Sequence, residues 1–234
     1  MAEFLTVFQS PVDIIGFILF VLIFPVYHGI YPWLVGLLKN QAKRTRFDLF
    51  RESWIKRLLD NRDVMAAAQQ TRNLTMVNSV LLSSSLILMG LTANFLIQIP
   101  KVENQIISPD AWITHPDALR VKLYLLIVAF ALAFSFFMTS LRHLGHFVLI
   151  IGADRELIEE HQGDPVKYFS NLINRASHRY TLGSRSFYAA FPLFAWLFDP
   201  WAFLLITVIW GIKFINFQDF SYLIPRQNKL SKSG

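Results

Sequence analysis

Residues 73–100 read NLTMVNSVLLSSSLILMGLTANFLIQIP, and no charged side chain falls between Arg72 and Lys101. A helix that crosses a bilayer's hydrocarbon needs about 20 mostly apolar residues, and this stretch supplies them. The intervals between Asp13 and Lys39 and between Lys122 and Arg142 are equally free of charge, and residues 186–211 are interrupted only by Asp199. These runs are continuous. A spanning β-barrel needs strands that alternate polar and apolar residues, so helices are expected. The fold class read from the sequence is all-α: one integral membrane domain over residues 1–234 with about four transmembrane helices. The spans are expected near 12–38, 74–99, 123–150 and 200–218, with 186–198 as a short interfacial or re-entrant piece.

Composition agrees with a lipid environment. Of 234 residues, 54% are hydrophobic, 22 are Phe and only 16% are charged. With no cysteine in the chain, disulfides, thiolate metal sites and thiol catalysis are excluded. The net charge of +6 is read as loops facing an anionic leaflet, not as a nucleic-acid surface. The opening MAEFLTVFQSPVDIIGF has no basic n-region, so no cleaved signal peptide is expected and the first span should be retained.

The basic residues are distributed unevenly. None precedes Lys39; nine lie in 39–72, three in 101–122 and six in 142–185. By the positive-inside rule, 39–72 and 142–185 face the cytoplasm, while the amino terminus and 101–122 face outward. The expected location is therefore a membrane, in the simplest case the bacterial inner membrane. The tail carries Lys213, Arg226, Lys229 and Lys232. A single crossing by 186–218 would put these outside; a segment that dips in and returns would keep them inside. Asp199-Pro200 is a helix-start signal, an N-cap followed by proline at the first position.

Pro25 and Pro32 bracket His28 in the first span and predict a kink. Between 45 and 73 the apolar Phe47, Phe50, Trp54 and Leu58 share one face, with basic residues largely around the rest. This is an amphipathic cytoplasmic helix, hinged if anywhere at Asp60-Asn61, which are weak helix formers.

Thr71, Thr75, Asn78, Ser85 and Thr92 recur at helical spacing down the second span. Such a line could face a pore, or bind helices together as small polar residues commonly do. Ala129 and Ala133 argue close helix packing on the third span. Arg142 follows the third apolar run and precedes Phe147, where ionisable groups are costly and often functional. His143 and His146 share a helical face and, with His28, are the candidate metal or haem ligands. Two histidines without accompanying carboxylates do not make a site, so no metal or cofactor is expected. No phosphate loop, G-x-S-x-G or H-E-x-x-H occurs, and no catalytic residue is assigned.

Three blocks also carry a resemblance. They are RESWIKRLLDNRDVMAAAQQTRNLTMVNSVLLSSSLILMGL with Arg51, Trp54, Arg62, Asp63 and Ser83 to Ser85, then SLRHLGHFVLIIGA with Ser140, Arg142, Gly152 and Ala153, then SRSFYAAFPLFAWLFDPWAFLLITVIW. Over about 51–215 the chain resembles an uncharacterised multipass membrane family of bacteria and plants, one of the "domain of unknown function" families. That family usually has Gln and an aromatic where this chain has His143 and His146. The resemblance implies a four-helix membrane fold and no assigned activity.

The expectation for function is a non-enzymatic, self-associating channel or transport pathway. Thr75, Asn78, Ser85 and Thr92 would line it, and Arg142 would make an anion-favouring inner mouth. The implied partners are the lipid bilayer and further copies of the chain. The rival readings are a non-catalytic accessory or scaffold subunit of a larger membrane complex, and a His-ligated haem or metal protein.

Overall fold

The computed structural model describes residues 8, 10–26, 43–106 and 116–214, and every element among them is a helix. His28 and Pro32 lie outside the described residues. Helix α1, Pro11–Val21, begins at a capping box. Ser10 Oγ accepts from the Asp13 N–H, and Asp13 Oδ2 accepts from the Ser10 N–H at 3.0 Å. It widens into a π-helical turn, Leu22–Val26, around Pro25, where the missing N–H interrupts the regular ladder.

Two helices replace the single amphipathic helix expected over 45–73. These are α2, Lys43–Asn61, and α3, Val64–Ile106. The break comes just after Asp60-Asn61. Arg62 adopts φ 51°, its N–H donates to Leu59 O, and the Asp63 N–H donates to Leu58 O at 3.1 Å. That pair of bonds is a Schellman ending, usually built on glycine. Asp63 Oδ1 then accepts from the Ala66 N–H at 3.0 Å and starts α3.

Helix α4, Pro116–Ile150, returns alongside α3. After a short α5, Arg155–Gln162, Gly163 turns the chain at φ 76°. Helix α6, Pro165–Ala195, starts on the Asp164 cap and Pro165. Residues 186–195 are therefore not a separate short helix but the last third of α6. Pro192 is the only proline inside α6, too near its end to stop it earlier. Helix α7, Pro200–Lys213, begins where the sequence places it, with Asp199 Oδ2 accepting from the Ala202 N–H at 2.8 Å.

Ring and hydrogen-bond contacts fix the directions. Phe130 meets Phe187, Phe137 meets Tyr180, and Ser140 meets Ala176, so α4 and α6 are antiparallel. Trp196 stacks on Phe203 and Tyr188 on Trp210, so α7 runs back along α6. Gly16 lies against Phe203 and Gly211 against Ile23, so α1 and α7 are parallel. Helix α2 docks on α6, where Arg51 donates to Asn174 Oδ1 and to Ser177 Oγ at 2.7 Å.

One core forms around Phe20, Phe130, Leu193, Trp196 and Phe203; another, at the opposite end, around Ile55, Phe147 and Phe169. The outer surface is apolar as well, with Leu74, Val80, Ile87, Leu91 and Phe95 of α3 all exposed. Residues Val64–Ile99 and Pro116–Ile150 are long and apolar enough to cross a membrane. Only 11% and 33% of their most apolar windows are buried in the fold. A core helix of a water-soluble protein would bury most of such a surface.

Candidate functional site

The polar line of α3 faces protein. Thr71, Asn78, Ser85 and Thr92 are buried and Thr75 is half-buried. Asn78 Nδ2 donates to Ser140 Oγ at 2.7 Å, and Ser140 Oγ donates to Ala176 O at 2.8 Å, linking α3, α4 and α6 in one chain. Thr71, Ser85 and Thr92 each donate to the carbonyl four residues earlier. Along α3 only the Asn78–Ser140 bond runs between helices; those three hydroxyls are satisfied within α3 and buried against protein. Ala129 and Ala133 are buried on α4, consistent with the close packing expected of them.

Arg142 is exposed, His143 half-buried and His146 exposed near the end of α4. Among the described residues, no three His, Cys, Asp or Glu side chains converge to hold a metal ion. Three permanent cations, Arg175, Arg179 and Arg142, lie close enough to act electrostatically on the partly buried His143. A cationic neighbourhood opposes a metal cation.

Two features escaped the sequence reading. The first is a buried carboxylate. Asp13 is 1% exposed and accepts from Trp196 Nε1–H at 2.6 Å, while Ser10 Oγ donates to its other oxygen at 2.9 Å. Lys122 Nζ donates to Trp196 O at 2.9 Å and lies 4.9 Å from the Trp196 ring centroid. Helices α1, α4 and α6 are thereby joined at one end. Ser-x-x-Asp is the capping signal that could have found Asp13, but its pairing with a tryptophan at the far end of the chain leaves no local trace.

The second is a groove of about 420 Å³ between the π-helical turn, α4 and α6. Phe24, Leu125, Leu132 and Leu193 make its walls apolar, and Arg185 of α6 adds a cation. Arg185 is only 3% exposed, with its guanidinium 5.7 Å from the Phe214 ring centroid. An arginine directly preceding the apolar run 186–211 was the available signal, masked because Arg185 also ends a basic segment. Gly183 makes room nearby; a Cβ there would stand 2.8 Å from Phe137 ring atoms.

The family model described as "Protein of unknown function, DUF599" matches residues 15–222. The chain belongs to that family. The match takes in the three blocks on which the resemblance rested and extends it into the first helix, so α2 to α7 and all but the first turn of α1 fall within the DUF599 region. Neither the curated proteins nor the solved structures contain a match.

Proposed function

We propose that this DUF599 protein is an integral membrane protein working as a non-catalytic binding or scaffold component, and that its chain enters the bilayer five times. The observation that carries the reading is the disposition of its polar groups. Along α3, Asn78 bonds to α4 and Thr71, Ser85 and Thr92 are buried with their hydroxyls bonded to α3's own carbonyls, while its outward face is apolar. A water-filled path needs polar groups facing it. With Thr71, Asn78, Ser85 and Thr92 packed against protein, the channel reading loses the lining that motivated it.

The antiparallel run of α6 and α7 supports five insertions. If the Trp196 end faces outward, α6 rises to it and α7 returns, so Lys213 and the basic tail join 39–72 and 142–185 on the cytoplasmic side. That arrangement obeys the positive-inside rule throughout. Lys213 Nζ lies 4.1 Å from the Trp210 ring centroid and 5.7 Å from that of Tyr188, and from there would snorkel toward the inner headgroups. Lower on α6, where α2 docks beside Asn174 and Ser177, exposed Phe47 and Phe50 of α2 would insert among headgroups, as apolar residues of interfacial helices do.

Labelling of single cysteines in this cysteine-free chain tests the arrangement. Asp117→Cys should react from outside intact cells, whereas Lys167→Cys and Lys213→Cys should react only after permeabilisation. External reaction at Lys213→Cys would remove the fifth insertion. Ion flux through liposomes holding the purified protein, above that of protein-free liposomes, would overturn the non-channel reading.

A further inference from the structure

The groove does not end in apolar protein. Residues Leu132, Phe136, Thr139, His143 and His146 follow one another on α4 at steps of four and three, one helical face. Arg175, Arg179, Leu182, Ser186, Ala189 and Leu193 do the same on α6. The upper members of both rows line the groove. The lower members are the basic residues, and Arg179 joins the two levels, its guanidinium 5.9 Å from the ring centroid of Phe136, a groove residue. An apolar slot thus opens downward onto Arg175, Arg179, Arg142, His143 and His146.

Arg142, Arg175 and Arg179 are exposed, and no ion pair among the described residues includes any of them. Three exposed arginines outside any ion pair among the described residues form a positive patch that an external anion would neutralise. The slot's dimensions say what kind. From Leu182 to Leu193 the groove rises roughly 16 Å at 1.5 Å per residue, about half of a hydrocarbon layer ~30 Å thick. That is the depth occupied by the tail of a lipid in one leaflet.

We propose that this continuous face is a binding site for one anionic phospholipid of the inner leaflet, its phosphate against Arg175 and Arg179 and one acyl chain in the groove. The site rests on the membrane reading given above and deepens it by naming a ligand class. Basic pockets between helices at the cytoplasmic side suit such headgroups, and arginine matches phosphate by paired N–H donors. Arg185, roughly 9 Å above Arg179 along α6, adds positive potential to the groove wall without reaching the surface.

Native mass spectrometry of the full chain in detergent tests the site, with phosphatidylglycerol and phosphatidylcholine of identical acyl chains added in equal amounts. The wild type should retain phosphatidylglycerol preferentially. At ~1 kcal/mol for each basic group near phosphate, Arg175→Gln with Arg179→Gln should reduce that preference roughly 30-fold. Leu132→Trp, which fills the groove from an exposed position, should lower retention of both lipids. Lys167→Gln, a basic residue of α6 away from this face, should change neither. Absence of a headgroup preference in wild type, or its survival in the double variant, would overturn the site. Displacement of the lipid by glycerol phosphate at equal concentration would show that the patch binds free phosphate and not lipid. Protein that is absent from the membrane fraction would instead defeat the reading on which the site rests.

Discussion

Trp196 donates its indole N–H to Asp13 across 183 positions of sequence at 2.6 Å, and the carboxylate that receives it is almost wholly buried. The first turn of α1 is held to the end of α6 by this bond, and Lys122 covers the indole from α4. Hydrogen bonds to a charged group contribute about 1.5–3 kcal/mol, and a buried acceptor left without its donor costs a comparable amount. Trp196→Phe should therefore destabilise the folded protein by about 2–3 kcal/mol. Denaturant unfolding in detergent micelles checks this, and an unchanged midpoint would mean that the bond contributes nothing.

Ser140 both accepts from Asn78 and donates to Ala176. Interhelical hydrogen bonds in membranes average about 0.6 kcal/mol and reach about 1.7. Since Ser140→Ala breaks two and strands a buried amide, a loss of about 1–2 kcal/mol is expected. A pore-lining role would instead leave stability unaltered.

Arg62 closes α2 in the left-handed region at φ 51°. A side chain there costs roughly 1 kcal/mol, which glycine avoids. Arg62→Gly should stabilise the protein by up to about 1 kcal/mol, less the greater chain entropy that glycine loses on folding. A rise in melting temperature is the expected result; a fall would mean that the Arg62 side chain contributes contacts outweighing its backbone strain.

Gly183 lies so close to Phe137 that an added methyl would meet ring atoms at 2.8 Å, and Phe137 is fully buried. Overpacking of this kind costs about 1–3 kcal/mol. Gly183→Ala should separate α4 from α6 locally and lower the unfolding midpoint. Gly145→Ala, with open space around it, is the matched control and should be neutral or slightly stabilising.

Much of the architecture was legible because it is written in local patterns. The charge-free run after Arg72 announces the apolar middle of α3, whose ends at Val64 and Ile106 reach well beyond it, and Asp199-Pro200 announces the start of α7 where it lies. The direction in which a polar residue points was not legible. Asn78 and Ser85 show the same spacing whether they face water or α4, and only the partner helix decides. The break at Arg62 was nearly legible, displaced from Asp60-Asn61 because the cap at Asp63, not weak propensity, sets its position. Arg185 and Asp13 were missed for a different reason. Their surroundings are assembled from helices distant in sequence, and no single window contains them.

The parallel packing of α1 on α7 has a consequence for synthesis. At roughly 5–20 residues per second, the ribosome needs about 10–40 s to travel from Asp13 to its indole donor, and longer still to finish α7. On the membrane reading proposed above, the first helix would spend that interval in a bilayer with a carboxylate near one end and none of the partners that will cover it. It must wait, shielded by lipid headgroups or by the insertion machinery. Chains interrupted before α7 would then carry an unclosed seam along Gly16 and Ile23, which a membrane protease can recognise as unfinished.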